Sequence, residues 1–177
     1  MTINELTIKW LNRDTGHGPR IAGHFWPTDI HKIRQGYLKP CNFFKSKPIN
    51  NDEAVSLITR GIALEDFLLK VFKETKAKVE HHKKFELDCG DFVISGEMDF
   101  LLKDKVIECK YPRERCYEIP DRYLDQMTAY HMATGLDVYL CEFPFPVKLH
   151  KLIPDKKRWK ENLELLRDFN NQLKNNG

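Results

Sequence analysis

Three side chains near the middle of the chain have the types and spacing to act together: Asp99 in the run GEMDF, and Glu108 and Lys110 in the run VIECK. Side chains alternate along a strand, so Glu108 and Lys110 share one face while Cys109 points away. A tight turn around Asp104 folds the Asp99 run back beside them, bringing two carboxylates and an ammonium to one point. Hard oxygen donors of this kind suit Mg²⁺ or Mn²⁺, which keep several waters and accept one or two carboxylates plus a substrate phosphate. An amine alongside can orient or deprotonate the attacking water, or offset charge growing on a phosphorane. The plain alternative is an ordinary ion pair on an exposed hairpin, which is worth little. Against it stand Phe92, Val93, Ile94, Phe100, Leu101, Val106 and Ile107, which describe strands that are apolar on both faces. Charge in such a setting is costly.

Further residues fall where such a centre needs them. Glu65 lies inside a long helical run, and Gln126 and Tyr130 are spaced i, i+4, on one face of another helix. An amide and a phenol at that spacing can take a phosphate or a base. Lys103, Lys105, Lys110, Arg113, Arg115 and Arg122 form a basic run around the proposed centre. Most such runs are solvated surface; here they suit the DNA backbone, a contact that weakens with salt. Tyr111, Tyr117 and Tyr123 are interleaved and suit unpaired bases. His81 and His82 are adjacent in a strand-like run, which sends them to opposite faces and reads as a solvated pair rather than a shared ligand set.

The elements that must position these groups follow from periodicity. The first 30 residues, punctuated by Gly16, Gly18, Pro19, Gly23 and Pro27, read as loops and short strands, and 27–39 as a short helix capped by Thr28 or Asp29. From Asn51 to Phe72 apolar residues recur at helical spacing. Strand signals follow at 82–88, 91–103 and 105–112, the last two as a hairpin. A helix at 121–134 stops at Gly135, a strand covers 137–143, a proline-rich stretch covers 144–154, and an amphipathic helix covers 155–173. This order belongs to the mixed α/β class.

Together the motifs resemble the PD-(D/E)XK nucleases. Gly96-x-x-Asp99 is similar to the family's GxxD, Glu108-Cys109-Lys110 to its ExK, and Gln126-x-x-x-Tyr130 to the QxxxY of its RecB/Cas4-like branch. Arg60-Gly61 ahead of Glu65 resembles that branch's Gly-x-x-x-His, with Glu65 standing where the histidine would be. The resemblance implies a central mixed β-sheet flanked by helices, a restriction-endonuclease-like core. It implies one domain over 1–177, with an N-terminal extension (1–50), a catalytic core (51–143) and a C-terminal helix (144–177). It implies a DNA nuclease, favouring single strands or ends, with Mg²⁺ or Mn²⁺ held by Asp99, Glu108, Glu65 and the Cys109 carbonyl. Lys110 would assist the water, and Gln126, Tyr130, Tyr111, Arg113 and Arg115 would hold substrate. Cas4-like members carry one cysteine before the helix and three after QxxxY; here Cys41 and Cys141 alone match, so no iron–sulfur cluster is expected. The motifs are also compatible with a structure-selective endonuclease of junction-resolvase or restriction type, and with a non-catalytic nucleic-acid-binding module on the same scaffold.

The bulk numbers agree with a globular nucleic-acid enzyme without requiring one. The chain has 177 residues, 41% hydrophobic and 31% charged, with a formal net charge of +3. That suits one domain and permits, but does not demand, a nucleic-acid partner. Five cysteines without a CxxC pair argue against a disulfide framework. With neither a secretory leader pattern nor a run approaching about 18 apolar residues, a cytoplasmic protein without a membrane partner is expected. Oligomeric state is left open.

Overall fold

Ile94, Met98 and Phe100 give β3 (Val93–Leu102) a buried apolar spine, and the sheet is organised around it. The computed structural model describes residues 3–13, 20–45, 52–112, 117–143 and 147–175. Strand β2 (Val79–Asp88) runs antiparallel along one whole edge of β3, from Val79↔Leu102 to Asp88↔Val93. The other edge is shared. There β1 (His24–Phe25) pairs parallel with Val93 and Ile94, while β4 (Lys105–Lys110) pairs antiparallel with Phe100 and Leu101. Between these pairings, residues 95–99 of β3 border a fork in which, among the described residues, no ladder pair forms on that side. Strand β5 (Asp137–Glu142) continues parallel to β4, and β6 (Lys148–Lys151) closes the six-stranded mixed sheet antiparallel to β5.

Helices cover both faces, as the motif order implies. Leu64, Leu68 and Phe72 of α3 (Asp52–Glu74) pack on Phe100, Ile107 and Phe143. On the opposite face Met127 and Tyr130 of α4 (Asp121–Thr134) pack on Met98, Val106 and Leu140. Helix α4 ends where expected, at Gly135, whose φ of 69° is a left-handed backbone that a side chain would strain. A third cluster joins Phe25, Ile30 and Phe43 to Leu166 and Phe169 of α5 (Lys156–Asn175). The amphipathic stripe of the last helix is therefore core, and each fully buried aromatic in it contributes about 1.5–3 kcal/mol.

Several sequence expectations change. Residues 3–13, taken as loop or strand, form helix α1 (Ile3–Arg13), which lies against α3. Ile3, Leu6, Trp10 and Leu11 have helical spacing, and the glycine punctuation begins only at Gly16. Helix α2 (Pro27–Arg34) is shorter than 27–39, its N-cap residue is Trp26, and Asp29 caps it from the third helical position. Its buried carboxylate accepts the Trp26 backbone N–H at 3.0 Å and two guanidinium bonds from Arg20 at 2.8 Å. The segment read as an N-terminal extension thus supplies a strand, two α-helices and the fully buried core residues Phe25, Ile30 and Phe43. Strand β6 emerges from the proline-rich stretch, paired by its neighbour rather than by its own pattern. Lys103 and Lys105 sit at the turn end of the β3–β4 hairpin. They are five or more strand residues from Lys110, roughly 16 Å at about 3.3 Å per residue, and so do not surround the proposed centre.

One buried acid ties the helical layer together. Asp125 of α4, with a fully buried side chain, accepts bonds from Arg158 Nε (2.8 Å) and Asn162 Nδ2 (3.1 Å) and faces Arg34 of α2 at 3.7 Å. Replacing Asp125 with Ala removes the shared acceptor of three elements. The expected loss is about 2–3 kcal/mol of unfolding free energy, read by urea denaturation, because charge-assisted bonds are lost and the Asn162 amide is stranded.

Candidate active site

The fork in the sheet is where the sequence-predicted acids meet. Continuing the register from Phe100↔Ile107 sets Asp99 opposite Glu108 of β4. On the other side, pairing at His81↔Phe100 and Lys83↔Met98 sets His82 of β2 opposite Asp99. Regular pairing fails on both sides of this row. His82 has a left-handed backbone, φ 55°, and Asp99 Oδ2 accepts the Cys109 backbone N–H at 2.6 Å, so a side chain replaces a rung of the ladder. The pleat of β3 changes phase here as well: Met98 packs on the α4 side and Phe100, two residues on, packs on the α3 side. Asp99 is therefore turned sideways into the fork rather than onto either covered face.

Glu108 lies at the bottom of that fork with 1% of its surface exposed. Its Oε1 forms an ion pair with the Lys110 ammonium; Oε2 is buried without a hydrogen bond, since the neighbouring Tyr130 hydroxyl donates its proton to the Glu97 carbonyl. Burial first, then the nearby Asp99 charge, pushes its pKa from 4.5 to about 7 against the opposing pull of Lys110. For Lys110, burial alone would favour the neutral amine. Glu108 and Asp99 outweigh that and hold it above its ordinary value, so it stays an ammonium. Glu65 projects from α3 toward the same place. Burial, then Asp99, then Glu108 raise its pKa to about 8. The structure thus brings Glu65, Asp99, Glu108 and Lys110 into one electrostatic group. Three acids short of positive charge, one with an orphaned buried oxygen, fit a hard divalent cation.

The other predicted residues divide. Gln126 and Tyr130 do share a face of α4, but it is the inward face. Gln126 Nε2 donates to Tyr130 Oη (2.6 Å), and Tyr130 Oη donates to the Glu97 carbonyl of β3 (2.9 Å). With Tyr130 only 1% exposed, the pair braces the forked strand instead of offering the substrate contact expected from its spacing. Burial, helped by the charge on Glu108, raises the Tyr130 pKa well above normal, so it remains a donor. Gly96 permits this close assembly: a Cβ there would meet Phe85 Cε1 and Pro27 Cδ at 3.1 Å each. Tyr111 is half-buried beside the α3-side core, with the Arg60 guanidinium 5.8 Å from its ring. Tyr123 lies near Lys110 (5.7 Å), and Tyr117 is fully exposed. Arg113 and Arg115 lie outside the described residues. Cys109 and Cys141 are buried partners across β4 and β5, and Cys41 is exposed.

Three residues at the site were passed over: His81, His82 and Glu97. The expectation that adjacent histidines must diverge is overturned by the left-handed backbone at His82, which brings the two rings within 3.8 Å. His82 Nδ1 lies 2.6 Å from Glu97 Oε1 and its Nε2 lies 3.7 Å from Glu65 Oε2. Glu97 had a visible signal, its two-residue spacing from Asp99. The histidines had none, since no residue type there announces a positive φ.

No protein-family model and no curated protein matches the sequence. Solved structures do. The protein SSO0001 superposes with a TM-score of 0.67 at 17% identity, over 96% of this chain and 85% of its own. LHK-Exo, an alkaline exonuclease from Laribacter hongkongensis solved in complex with dAMP, gives 0.64 at 16% identity over 88% and 90%. A phage-related exonuclease from Haemophilus somnus gives 0.55 at 14% identity over 86% and 96%. The likeness is one of fold, and it makes the forked mixed sheet with flanking helices a restriction-endonuclease-like core.

The raised acids set a pH dependence. Between the ordinary value of 4.5 and about 8 the folded chain retains protons on Glu65 and Glu108 that the unfolded chain has released. Unfolding free energy therefore falls as pH rises through this window, and the fall should flatten in a Glu65→Gln, Glu108→Gln variant. A divalent cation binds the ionised acids, so its stabilisation of the wild type should grow over the same window. Thermal unfolding across pH, with chelator and then with Mn²⁺, reads both; a metal shift independent of pH would contradict the assignment of the acids.

Proposed function

We propose that this protein is a metal-dependent DNA nuclease of the PD-(D/E)XK type, akin to the RecB/Cas4-like branch, acting as an exonuclease or on single strands. The observation that carries this reading is Glu108: a buried carboxylate, paired with Lys110 on one oxygen and left unpartnered on the other, opposite Asp99 in a forked sheet. Support comes from solved structures of this fold that are themselves described as exonucleases, one of them with a nucleotide bound. The catalytic core in this reading is 51–143, completed by β1 and α2 from upstream.

Asp99, Glu108 and Glu65 are the residues that would hold Mg²⁺ or Mn²⁺, with the Cys109 carbonyl completing the set. Held by these residues, such an ion would supply Lewis acidity toward the scissile phosphate and toward the attacking water. The chain's own groups do the rest. Lys110, fixed by Glu108 and kept cationic by both acids, stands where it orients the attacking water and offsets charge developing on the phosphoryl oxygens. Asp99 is locked by the Cys109 N–H, so it needs no reorganisation. Gln126 and Tyr130 hold β3 at Glu97 and thereby set the separation across the fork. Tyr111, Arg60, Arg113 and Arg115 would engage the DNA strand near the cut.

Labelled linear and circular DNA, single- and double-stranded, incubated with Mn²⁺ and with EDTA, tests the proposal. Divalent-dependent cutting is expected, with single-stranded or end-bearing substrates favoured; cutting of circles would identify endonuclease action instead. Lys110→Ala should keep the metal-induced thermal shift and lose about 10²–10³-fold in cleavage rate, the scale set by removing one positioned transition-state donor. Wild-type cleavage in that variant, or cleavage undiminished by EDTA, would refute it.

A further inference from the structure

We infer that His81, His82 and Glu65 form a nitrogen-rich seat for a divalent transition metal, beside the oxygen donors Asp99 and Glu108 and distinct from them. One donor atom from each of the three residues already converges to within 4.8 Å of the others. Each donor is prepared differently. His82 Nδ1 lies 2.6 Å from Glu97 Oε1, an acceptor that requires the proton on Nδ1 and leaves the lone pair on Nε2. A carboxylate behind a ring nitrogen is the usual way a protein orients an imidazole ligand and strengthens its donation. His82 Nε2 in turn lies 3.7 Å from Glu65 Oε2, too far for a hydrogen bond. Two donors each about 2.0–2.2 Å from one ion, at tetrahedral to trigonal angles, sit roughly 3.3–3.8 Å apart. His81 Nε2 is buried and has no hydrogen-bond partner. Its ring is held between that of His82 and that of Phe100, stacked at 18° with centroids 4.9 Å apart, so the free nitrogen is kept near the cluster.

The backbone explains why two neighbouring residues converge. An ordinary strand would send His81 and His82 to opposite faces. The positive φ of 55° at His82, disfavoured for a non-glycine residue, turns its ring to the side of His81 and toward α3. A histidinium bridging Glu97 and Glu65 would account for His82 alone; it leaves the stranded nitrogen of His81 unexplained. Two imidazoles and one carboxylate select Zn²⁺, Co²⁺ or Ni²⁺ over Mg²⁺, which takes oxygen and holds its waters. The seat's place beside the catalytic acids rests on the nuclease reading, through the shared Glu65; its ability to bind metal does not.

The test is a titration of the chelator-stripped full chain with Co²⁺, whose visible spectrum reports nitrogen ligation and geometry. One Co²⁺ per chain should bind, resist a large excess of Mg²⁺, and persist in an Asp99→Asn, Glu108→Gln variant that retains the Cys109 acceptor. His82→Ala should weaken binding at least tenfold, and Glu97→Gln by about tenfold, the scale of losing an outer partner of a ligand. In the unaltered protein, bound Co²⁺ should selectively shift or broaden the ring-proton resonances of His81 and His82, a readout that depends on no variant folding. Displacement of Co²⁺ by Mg²⁺, unperturbed His81 and His82 resonances, or wild-type affinity in a His81→Ala, His82→Ala variant would overturn the inference. Mg²⁺-supported DNA cleavage, measured on the same samples, separates the two claims. Cleavage without histidine-bound Co²⁺ refutes the seat alone, and histidine-bound Co²⁺ without cleavage supports the seat while refuting the nuclease.

Discussion

A carboxylate deprived of water, with half its hydrogen-bonding capacity unused, is the constraint around which this protein is arranged. Ionised groups are buried at a cost of several kcal/mol unless compensated, and compensation by one lysine is incomplete when a second acid stands opposite. Other buried carboxylates among the described residues face cations or hydrogen-bond donors, although Asp125 Oδ2 lacks a hydrogen bond and meets Arg34 only at 3.7 Å. Asp29 has both oxygens on Arg20, Asp125 faces two guanidinium groups and an amide, and Glu142 lies 2.9 Å from a ring nitrogen of His150. These settle helices and strands against one another. Glu108 does the opposite: it stores an unmet demand for positive charge at the one place where the sheet opens.

The opening itself comes from strand competition. Because β2 occupies one edge of β3, β1 and β4 must divide the other, and the regular pairing of both stops short of the row of Asp99. Backbone groups along such a gap need other partners. The Asp99 side chain supplies one for Cys109, and the Tyr130 hydroxyl supplies one for Glu97. The same groups that heal the ladder also hold the acids in place, so the geometry of the site and the integrity of the sheet are one problem. The left-handed turn at His82 belongs to it too, since it lies opposite Asp99 on the third strand of the row.

The division between what could be read from the chain and what could not follows from the range of the forces involved. The spacing of Glu108 and Lys110, their opposition to Asp99 across a tight hairpin, the length of α3, the stop at Gly135 and the apolar stripe of the last helix are local properties, carried by side-chain period and turn chemistry. Those sufficed for the fold class and for placing Asp99 opposite Glu108 and beside Lys110. Helix α1 was also written locally, in the recurrence of Ile3, Leu6, Trp10 and Leu11, but the glycine and proline pattern that follows it masked the signal.

Other features exist only once distant segments meet. Strand β6 is a strand because β5 offers it an edge, and Phe25, Ile30 and Phe43 are core because Phe169 and Leu166 arrive from the far end of the chain. Gln126 and Tyr130 face inward because β3 leaves a carbonyl for them to satisfy, which their i, i+4 spacing could not reveal. His81 and His82 share a side only because a residue in the ladder adopts a conformation disfavoured for its type, held there by surroundings remote in sequence. Residue type and spacing by themselves determined which groups could do chemistry; the tertiary structure decided which of them face one another, because orientation in a forked sheet depends on partners that no local pattern encodes.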